Sequence, residues 1–315
     1  MKKVSLAYFG SPDFAASFLE KILSDNELPV EVKLVVTQPD KPVGRKQVLT
    51  ATPVKEVAQK HGIAVYDGKV KNLLPTLEEE FDLALLYAYG EIIPADLIEK
   101  FPAGFWNIHP SLLPKYRNVA PTAFPLILGD TETGVTMIQL DEKLDHGPIL
   151  AQEKLTIEQN DRRPDLENKL TELGFLIFRR SVQVHPEAVE QDHAQATYTR
   201  KMKKDDGFIQ FDILKKMLDN SSLLASEFPQ MLQDYYEKYP EVEPYQSSSL
   251  LLYNLFRGLY PWPGIWTTIQ INGEEKRLKI TNMQYENNRI IPAKVQLEGK
   301  NEVDFATFER AYPIF

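Results

Sequence analysis

The chain contains no cysteine, which removes disulfides, thiolate nucleophiles and cysteine-ligated zinc or iron–sulfur centres. Histidine is scarce too: five in 315 residues, none in an H-E-x-x-H arrangement, so no zinc motif of that kind is present. Positive charge is in deficit, with 36 Lys and Arg against 45 Asp and Glu and a net charge of −9. The deficit is shared: residues 1–204 carry 25 basic and 29 acidic side chains, and residues 205–315 carry 11 and 16. A dedicated nucleic-acid binder shows a basic field, so any nucleic-acid contact here must be local. The N-terminal apolar run, Val4 to Phe9, is too short for a signal peptide or a membrane span, and the chain reads as cytoplasmic. The turn after it, Gly10-Ser-Pro-Asp-Phe14, lacks the second and third glycines of G-x-G-x-x-G. Close approach of a dinucleotide pyrophosphate is therefore not provided for.

The composition that remains, 43% hydrophobic and 26% charged, is that of a globular protein, and the length suits two domains. Up to about residue 160, short apolar runs alternate with helical patterns. The predicted strands are Val4–Phe9, Val32–Thr37, Ile63–Tyr66, Leu83–Ala88, Gly104–Ile108 and Gly134–Leu140. The predicted helices are Asp13–Leu23, Pro53–Lys60, Ala95–Lys100 and Pro121–Leu128, then Pro164–Val182 with Leu166, Leu170, Leu173 and Ile177 as its buried stripe. Uninterrupted apolar strands alternating with helices predict an α/β fold, Rossmann-like, with a mostly parallel sheet. Ser11 and Pro12 read as the N-cap and first residue of the first helix.

Residues 186–206 are polar without a period and read as a linker. Beyond them a helical stretch, about Leu214–Tyr239, precedes four short strands at Trp266–Ile271, Arg277–Thr281, Ile290–Val295 and Val303–Phe305. Asn-Gly, Asn-Asn and Gly-Lys turns between the strands suit a small antiparallel β-barrel. The predicted organisation is a catalytic domain over 1–187, a linker over 188–207 and a smaller C-terminal domain over 208–315.

Chemistry concentrates in Asn107-Ile-His109-Pro-Ser-Leu-Leu-Pro114 and Leu144-Asp145-His-Gly147. A lone histidine between a strand and a proline-flanked loop is more often a packing residue than a catalyst. Asn107, two residues earlier, projects from the same strand face and weighs against that reading. An amide donor, an imidazole and a carboxylate are what acyl transfer to an amine requires. Asp145 alone reads as a turn residue, and spacing does not decide whether it reaches His109. The loop Thr37–Lys46 carries Lys41, Arg45 and Lys46. It reads either as an ordinary surface loop or as a mobile one whose cations meet phosphates.

Asn107-x-His109-x-Ser-Leu-Leu-Pro114, Gly129-Asp-x-Glu-Thr-Gly-Val-Thr136 and Asp141-x-x-Leu-Asp145-x-Gly147 resemble the core of the folate-dependent formyltransferases. Gly10–Phe14, Thr37–Arg45, Thr52-Pro-Val-Lys55, Ala88-Tyr-Gly-x-Ile-x-Pro94, Tyr198-x-x-Lys201 and Leu255–Gly264 are similar to the branch of that family acting on methionyl-tRNA. The resemblance implies a formyltransferase fold with a small OB-like barrel, 10-formyltetrahydrofolate as co-substrate and no metal. It also implies initiator methionyl-tRNA as acceptor for translation initiation, no membrane partner, and a monomer. Asn107, His109 and Asp145 occupy its catalytic positions. Ser111, Leu112, Leu113, Pro114 and Asp141 fall where folate is contacted, and Lys41, Arg45 and Lys46 lie in the loop that meets tRNA. An amino-sugar nucleotide N-formyltransferase and a non-catalytic RNA-binding protein on the same fold are the alternatives. The chain departs from the family at Asn118, where glycine is usual after the Leu-Leu-Pro element, and at His146, where threonine is common. It departs also in a longer 213–249 segment and a shorter, truncated-looking barrel.

Overall fold

The computed structural model describes residues 3–44, 46–77, 80–242 and 247–315. The chain divides into two units. Unit 1 comprises Met1–Pro121, Glu132–Thr156 and Glu167–Thr199; unit 2 comprises Thr122–Thr131, Ile157–Leu166 and Arg200–Phe315. The elements up to residue 109 are β1 (Val4–Gly10), α1 (Asp13–Ser24), β2 (Val30–Val36), β3 (Lys41–Val43), β4 (Val48–Thr50), α2 (Pro53–Lys60), β5 (Ala64–Tyr66), β6 (Leu83–Tyr87), α3 (Ala95–Ile98) and β7 (Phe105–His109). Then come α4 (Ala123–Leu128), β8 (Glu132–Gln139), β9 (Ile149–Thr156), α5 (Arg163–Val184), α6 (Phe211–Leu218), α7 (Gln230–Lys238), α8 (Ser248–Leu259), β10 (Ile265–Ile271), β11 (Glu274–Glu286), β12 (Arg289–Leu297), β13 (Glu302–Asp304) and α9 (Phe305–Ala311).

Unit 1 is built on a seven-stranded sheet ordered β5-β2-β1-β6-β7-β8-β9. Pairing is parallel from β5 to β7, and antiparallel where β8 and β9 are added. This is the predicted Rossmann-like, mostly parallel sheet. Adjacent residues of β1 point to opposite faces, so each face gathers its own aromatic core. Tyr8 meets Phe18 of α1, which also contacts Tyr87 and Phe178. Phe9 meets Tyr89 and Phe105 in a cluster that includes Leu97 and Phe101. Burying each such side chain contributes roughly 1.5–3 kcal/mol.

Two local expectations give way. The first helix is not capped by Ser11; Pro12 occupies the N-cap without a side-chain bond. The Ser11 hydroxyl instead donates to the Tyr89 carbonyl at 3.1 Å and accepts from the Gln38 amide at 3.3 Å, tying together the ends of β1, β2 and β6. The strand β9 is unforeseen because its residues alternate half-buried and exposed, and Gln152, Glu153 and Lys154 give it a polar surface.

Unit 2 carries a four-stranded antiparallel sheet in the order β10-β11-β12-β13. Among the described residues no ladder joins β13 to β10, so the sheet stays open, in keeping with the truncated-looking barrel. The last strand ends at Asp304, which occupies the N-cap position of α9 without a side-chain bond, and Phe305 is helical rather than extended. The single helix foreseen over 214–239 is two: Asn220 takes a left-handed backbone (φ 53°) after α6, and Pro229 caps α7. All residues of α8 except the half-buried Leu250 are buried, so its polar as well as its apolar side chains face protein. A Cβ at Gly258 would sit 2.4 Å from Ile127 Cγ1 and 2.8 Å from the Ala123 carbonyl, so glycine is what lets α8 lie against α4.

Candidate active site

Asn107 and His109 leave the C-terminal half of β7 on one face, two residues apart, and both are buried. The antiparallel strand β8 pairs His109 with Thr136, then continues into the turn that carries Asp145 back toward β7. That turn is tight. Asp145 has φ 50°, and a Cβ on Gly147 would lie 1.9 Å from the Gln139 carbonyl, so only glycine fits there.

The trio meets. Asn107 Nδ2 donates to Asp145 Oδ1 at 3.3 Å, and His109 Nδ1 lies 3.4 Å from the same oxygen. Asp145 Oδ2 accepts the Asn118 backbone amide at 2.7 Å. On the far side of the ring, His109 Nε2 is 3.0 Å from the Tyr116 carbonyl. A carbonyl only accepts, so Nε2 carries a proton, and Nδ1 faces a carboxylate oxygen. Both ring nitrogens face acceptors, which is the environment of an imidazolium. The electrostatics agree. Burial pushes the His109 pKa down, but the Asp145 charge and hydrogen bond, with the Tyr116 carbonyl, outweigh it and raise the value above that of an ordinary histidine. For Asp145, burial raises the pKa, yet the charge and hydrogen bond of His109, the Asn118 amide and Arg117 together lower it.

The loop after β7 is held from beneath. Thr136 Oγ1 donates to the Ser111 carbonyl at 2.7 Å and accepts the Leu113 amide at 3.0 Å. Gln152 Nε2 donates to the Leu113 carbonyl at 2.9 Å, and the Ser111 hydroxyl donates to the Lys115 carbonyl at 2.6 Å. The polar groups of Ser111 and Leu113 are thus committed to the protein, and the stretch presents the half-buried side chains of Leu112 and Pro114. Asp141 does not join the trio; its Oδ2 accepts from His146 Nδ1 at 2.7 Å. Lys41 and Lys46 lie on the exposed β3–β4 hairpin, where Lys41 hydrogen-bonds Gln38. Arg45 lies outside the described residues.

Sequence reasoning missed the support around the trio. Tyr116, Asn118 and Ala120 all have positive φ (63°, 81° and 63°), and Asn118 fills the usual glycine position in the left-handed form it tolerates. A short parallel bridge, Arg117 to Tyr198, fastens this loop: the Tyr116 amide donates to Thr197 Oγ1, and the Thr199 amide to the Arg117 carbonyl, each at 2.9 Å. The segment read as a linker therefore contributes buried Gln191, Thr197 and Thr199. The Tyr198-x-x-Lys201 motif was the one sequence signal that pointed there. Among the described residues there is no group of three or more His, Cys, Asp or Glu placed to hold a metal. No helix among them is long and apolar enough to cross a membrane.

Residues 2–182 match the family described as formyl transferase, and residues 245–314 match the formyl transferase C-terminal domain. The chain is 35% identical over 295 residues to a methionyl-tRNA formyltransferase of Caldicellulosiruptor saccharolyticus, spanning 89% of this chain and 80% of the relative. A protein of the same name from Staphylococcus epidermidis is 33% identical over 283 residues, 87% of this chain and 78% of the relative. Among solved structures, a 4-N formyltransferase from Francisella tularensis shares the fold with a TM-score of 0.60 at 15% identity, over 87% of this chain and 96% of that one. An N-formyltransferase from Helicobacter canadensis, in complex with folinic acid and dTDP-3-aminofucose, has a TM-score of 0.57 at 20% identity, over 90% and 89% of the two chains.

Proposed function

We infer that this chain, which belongs to the formyl transferase family, moves the formyl group of 10-formyltetrahydrofolate to the α-amine of methionine on initiator tRNA. The acceptor is supported by relatives that carry the name methionyl-tRNA formyltransferase and match about nine-tenths of the chain. The chemistry is supported above all by the convergence of Asn107 Nδ2 and His109 Nδ1 on a single oxygen, 3.3 and 3.4 Å away. That oxygen belongs to Asp145, so an amide donor, an imidazole and the carboxylate that charges it are held together in one buried place, the set that acyl transfer to an amine uses.

The folate supplies a formyl group already activated at N10. Asn107 has a second amide hydrogen besides the one given to Asp145, and it can meet the formyl oxygen as the amine adds to the carbon. His109, kept protonated by Asp145 at Nδ1, gives N10 the Nε2 proton that otherwise rests on the Tyr116 carbonyl, as the bond from N10 to the formyl carbon breaks. The imidazole so vacated takes the proton released by the attacking nitrogen, so the enzyme ends as it began. Asp145 holds the imidazolium and stays a carboxylate throughout. Leu112 and Pro114 offer apolar surface beside the trio for the folate, and Asp141 with His146 borders the turn that carries Asp145. Lys41 and Lys46, with Arg45 between them in sequence, supply cations for phosphates of the acceptor end. The reaction belongs to the cytoplasm, where charged tRNA is used.

The test is formylation of charged initiator methionyl-tRNA by the purified protein with 10-formyltetrahydrofolate, an amino-sugar nucleotide being offered in parallel. Formyl-methionyl-tRNA as the product, lost in His109→Ala, is the expected result. A formylated sugar without a tRNA product would keep the chemistry and remove the acceptor.

A further inference from the structure

Asp145 is held by its backbone as well as by its side chain. Gln191 Nε2 donates to the Asp145 carbonyl at 3.0 Å and to the Gly147 carbonyl at 2.7 Å. The other end of that amide, Gln191 Oε1, accepts from Arg117 Nη2 at 2.7 Å. Arg117 adjoins Asn118, whose amide binds the Asp145 carboxylate. The contacts close a ring that runs from Asp145 through Asn118, Arg117 and Gln191 back to Asp145.

The parts of this ring are not ordinary surface groups. Arg117 is 1% exposed and Gln191 5%. Among the described residues the guanidinium hydrogen-bonds to Gln191 Oε1, to His193 Nδ1 at 2.8 Å and to the Tyr198 hydroxyl at 3.3 Å, none of them a carboxylate. Since arginine only donates, His193 Nδ1 accepts, and His146 stacks on the His193 ring at 3.9 Å between centroids. Burying a guanidinium without a direct counter-ion is unfavourable, and a shorter neutral residue would avoid the cost. What the charge does here is orient the Gln191 amide. With Oε1 fixed on the cation, both Nε2 hydrogens must point at the Asp145 turn.

We propose that Gln191, oriented by Arg117, is a positioning residue for Asp145 that fixes its carboxylate between Asn107 and His109. The proposal rests on the reading of Asn107, His109 and Asp145 as the acyl-transfer trio. Gln191 suits the task because one end accepts and the other donates twice. Glutamate keeps the first contact and loses the second, and methionine keeps the shape and loses both. The charged groups acting on His109 are Asp145 and Arg117; its neighbours Asn107 on β7 and Thr136 on β8 are neutral.

Two variants separate positioning from packing. In Gln191→Met, kcat should fall about 10- to 100-fold while KM for formylfolate stays within about twofold, the signature of a displaced catalytic group. The His109 titration midpoint, read by imidazole NMR without substrate, should move down as Asp145 loosens. Gln191→Glu, which retains the Arg117 pairing and hence the packing, should lose kcat as Gln191→Met does. Wild-type kcat in Gln191→Glu, or an unmoved His109 midpoint in Gln191→Met, overturns the proposal. If Gln191→Met does not fold, Gln191→Glu decides alone. If the wild-type protein formylates nothing, the functional reading fails, while the NMR midpoint still decides the positioning.

Discussion

Arg117 in unit 1 and Arg257 in unit 2 are both buried, and each lies over a tyrosine ring, Tyr198 at 5.9 Å and Tyr253 at 5.5 Å. Their partners differ. Arg257 donates to Asn254 Oδ1 on its own helix and to the backbone carbonyls of Glu158 and Asp161, at 3.1 and 3.2 Å. It ties a chain segment to α8. Arg117 instead binds Gln191, His193 and Tyr198, one residue from the amide that holds Asp145. A buried cation that clasps main-chain carbonyls holds a fold together. One that orients side chains beside a coupled acid and base serves the chemistry. Residue type and burial do not tell the two apart; the partners do.

The comparison can be broken most sharply at Asp145. Asp145→Asn should lower kcat by about 10²–10⁴-fold, the range for acid–base help. It should also move the pH profile in a defined direction. The Asp145 carboxylate favours the charged imidazole and raises the His109 pKa. In the mechanism proposed above transfer relies on protonated His109, so activity should decline as pH rises through that pKa. Without the carboxylate, burial dominates, the pKa falls and the basic limb moves to lower pH. A basic limb that stays in place would remove the His109–Asp145 coupling from the account.

Arg257→Met should act on stability alone. Stranding the two carbonyls and Asn254 costs about 1–3 kcal/mol. A urea unfolding midpoint measures it, with the basic limb of the pH profile unmoved. A shifted limb would mean that the two arginines are not distinct in kind. A smaller effect is expected within unit 1, at Thr52, whose hydroxyl accepts the Lys55 amide at 3.1 Å and lies 2.6 Å from Thr37 Oγ1. Thr52→Ala removes that helix cap and should cost about 1 kcal/mol by denaturant melt, leaving the His109 midpoint unchanged. Least of all should change in Lys46→Ala, on the exposed hairpin: folate KM is unaffected and the salt slope of tRNA binding falls by about 0.7–0.9 for one lost phosphate contact.

The parts legible in the sequence are those that a period can encode. Continuous apolar runs revealed β1, β6 and β7, and period two put Asn107 and His109 on one face. Asp145 was legible through resemblance, since nothing local says that a turn 36 residues after His109 comes back to it. The supporting ring was not legible at all. Gln191 acts through the carbonyls of Asp145 and Gly147, more than 40 residues away, and a backbone acceptor leaves no mark on residue identity. Residues 188–199 look like a linker because they are polar and aperiodic. Their polarity is what fastens them to the loop at Arg117. In unit 2, helix breaks at Asn220 and before Gln230 replaced the single helix, and the truncated-looking barrel is a four-stranded antiparallel sheet. Turn geometry and strand closure are set by long-range contacts, which a local pattern does not carry.

The most direct test of the account is the single-turnover rate of formyl transfer from 10-formyltetrahydrofolate to methionyl-tRNA, measured for the wild-type protein and Asn107→Ala together with folate affinity. Losing one donor to the developing oxyanion should slow transfer by about 10²–10³-fold, with folate affinity within about twofold. Equal transfer rates in the two proteins would contradict the claim that Asn107, His109 and Asp145 form the centre of acyl transfer.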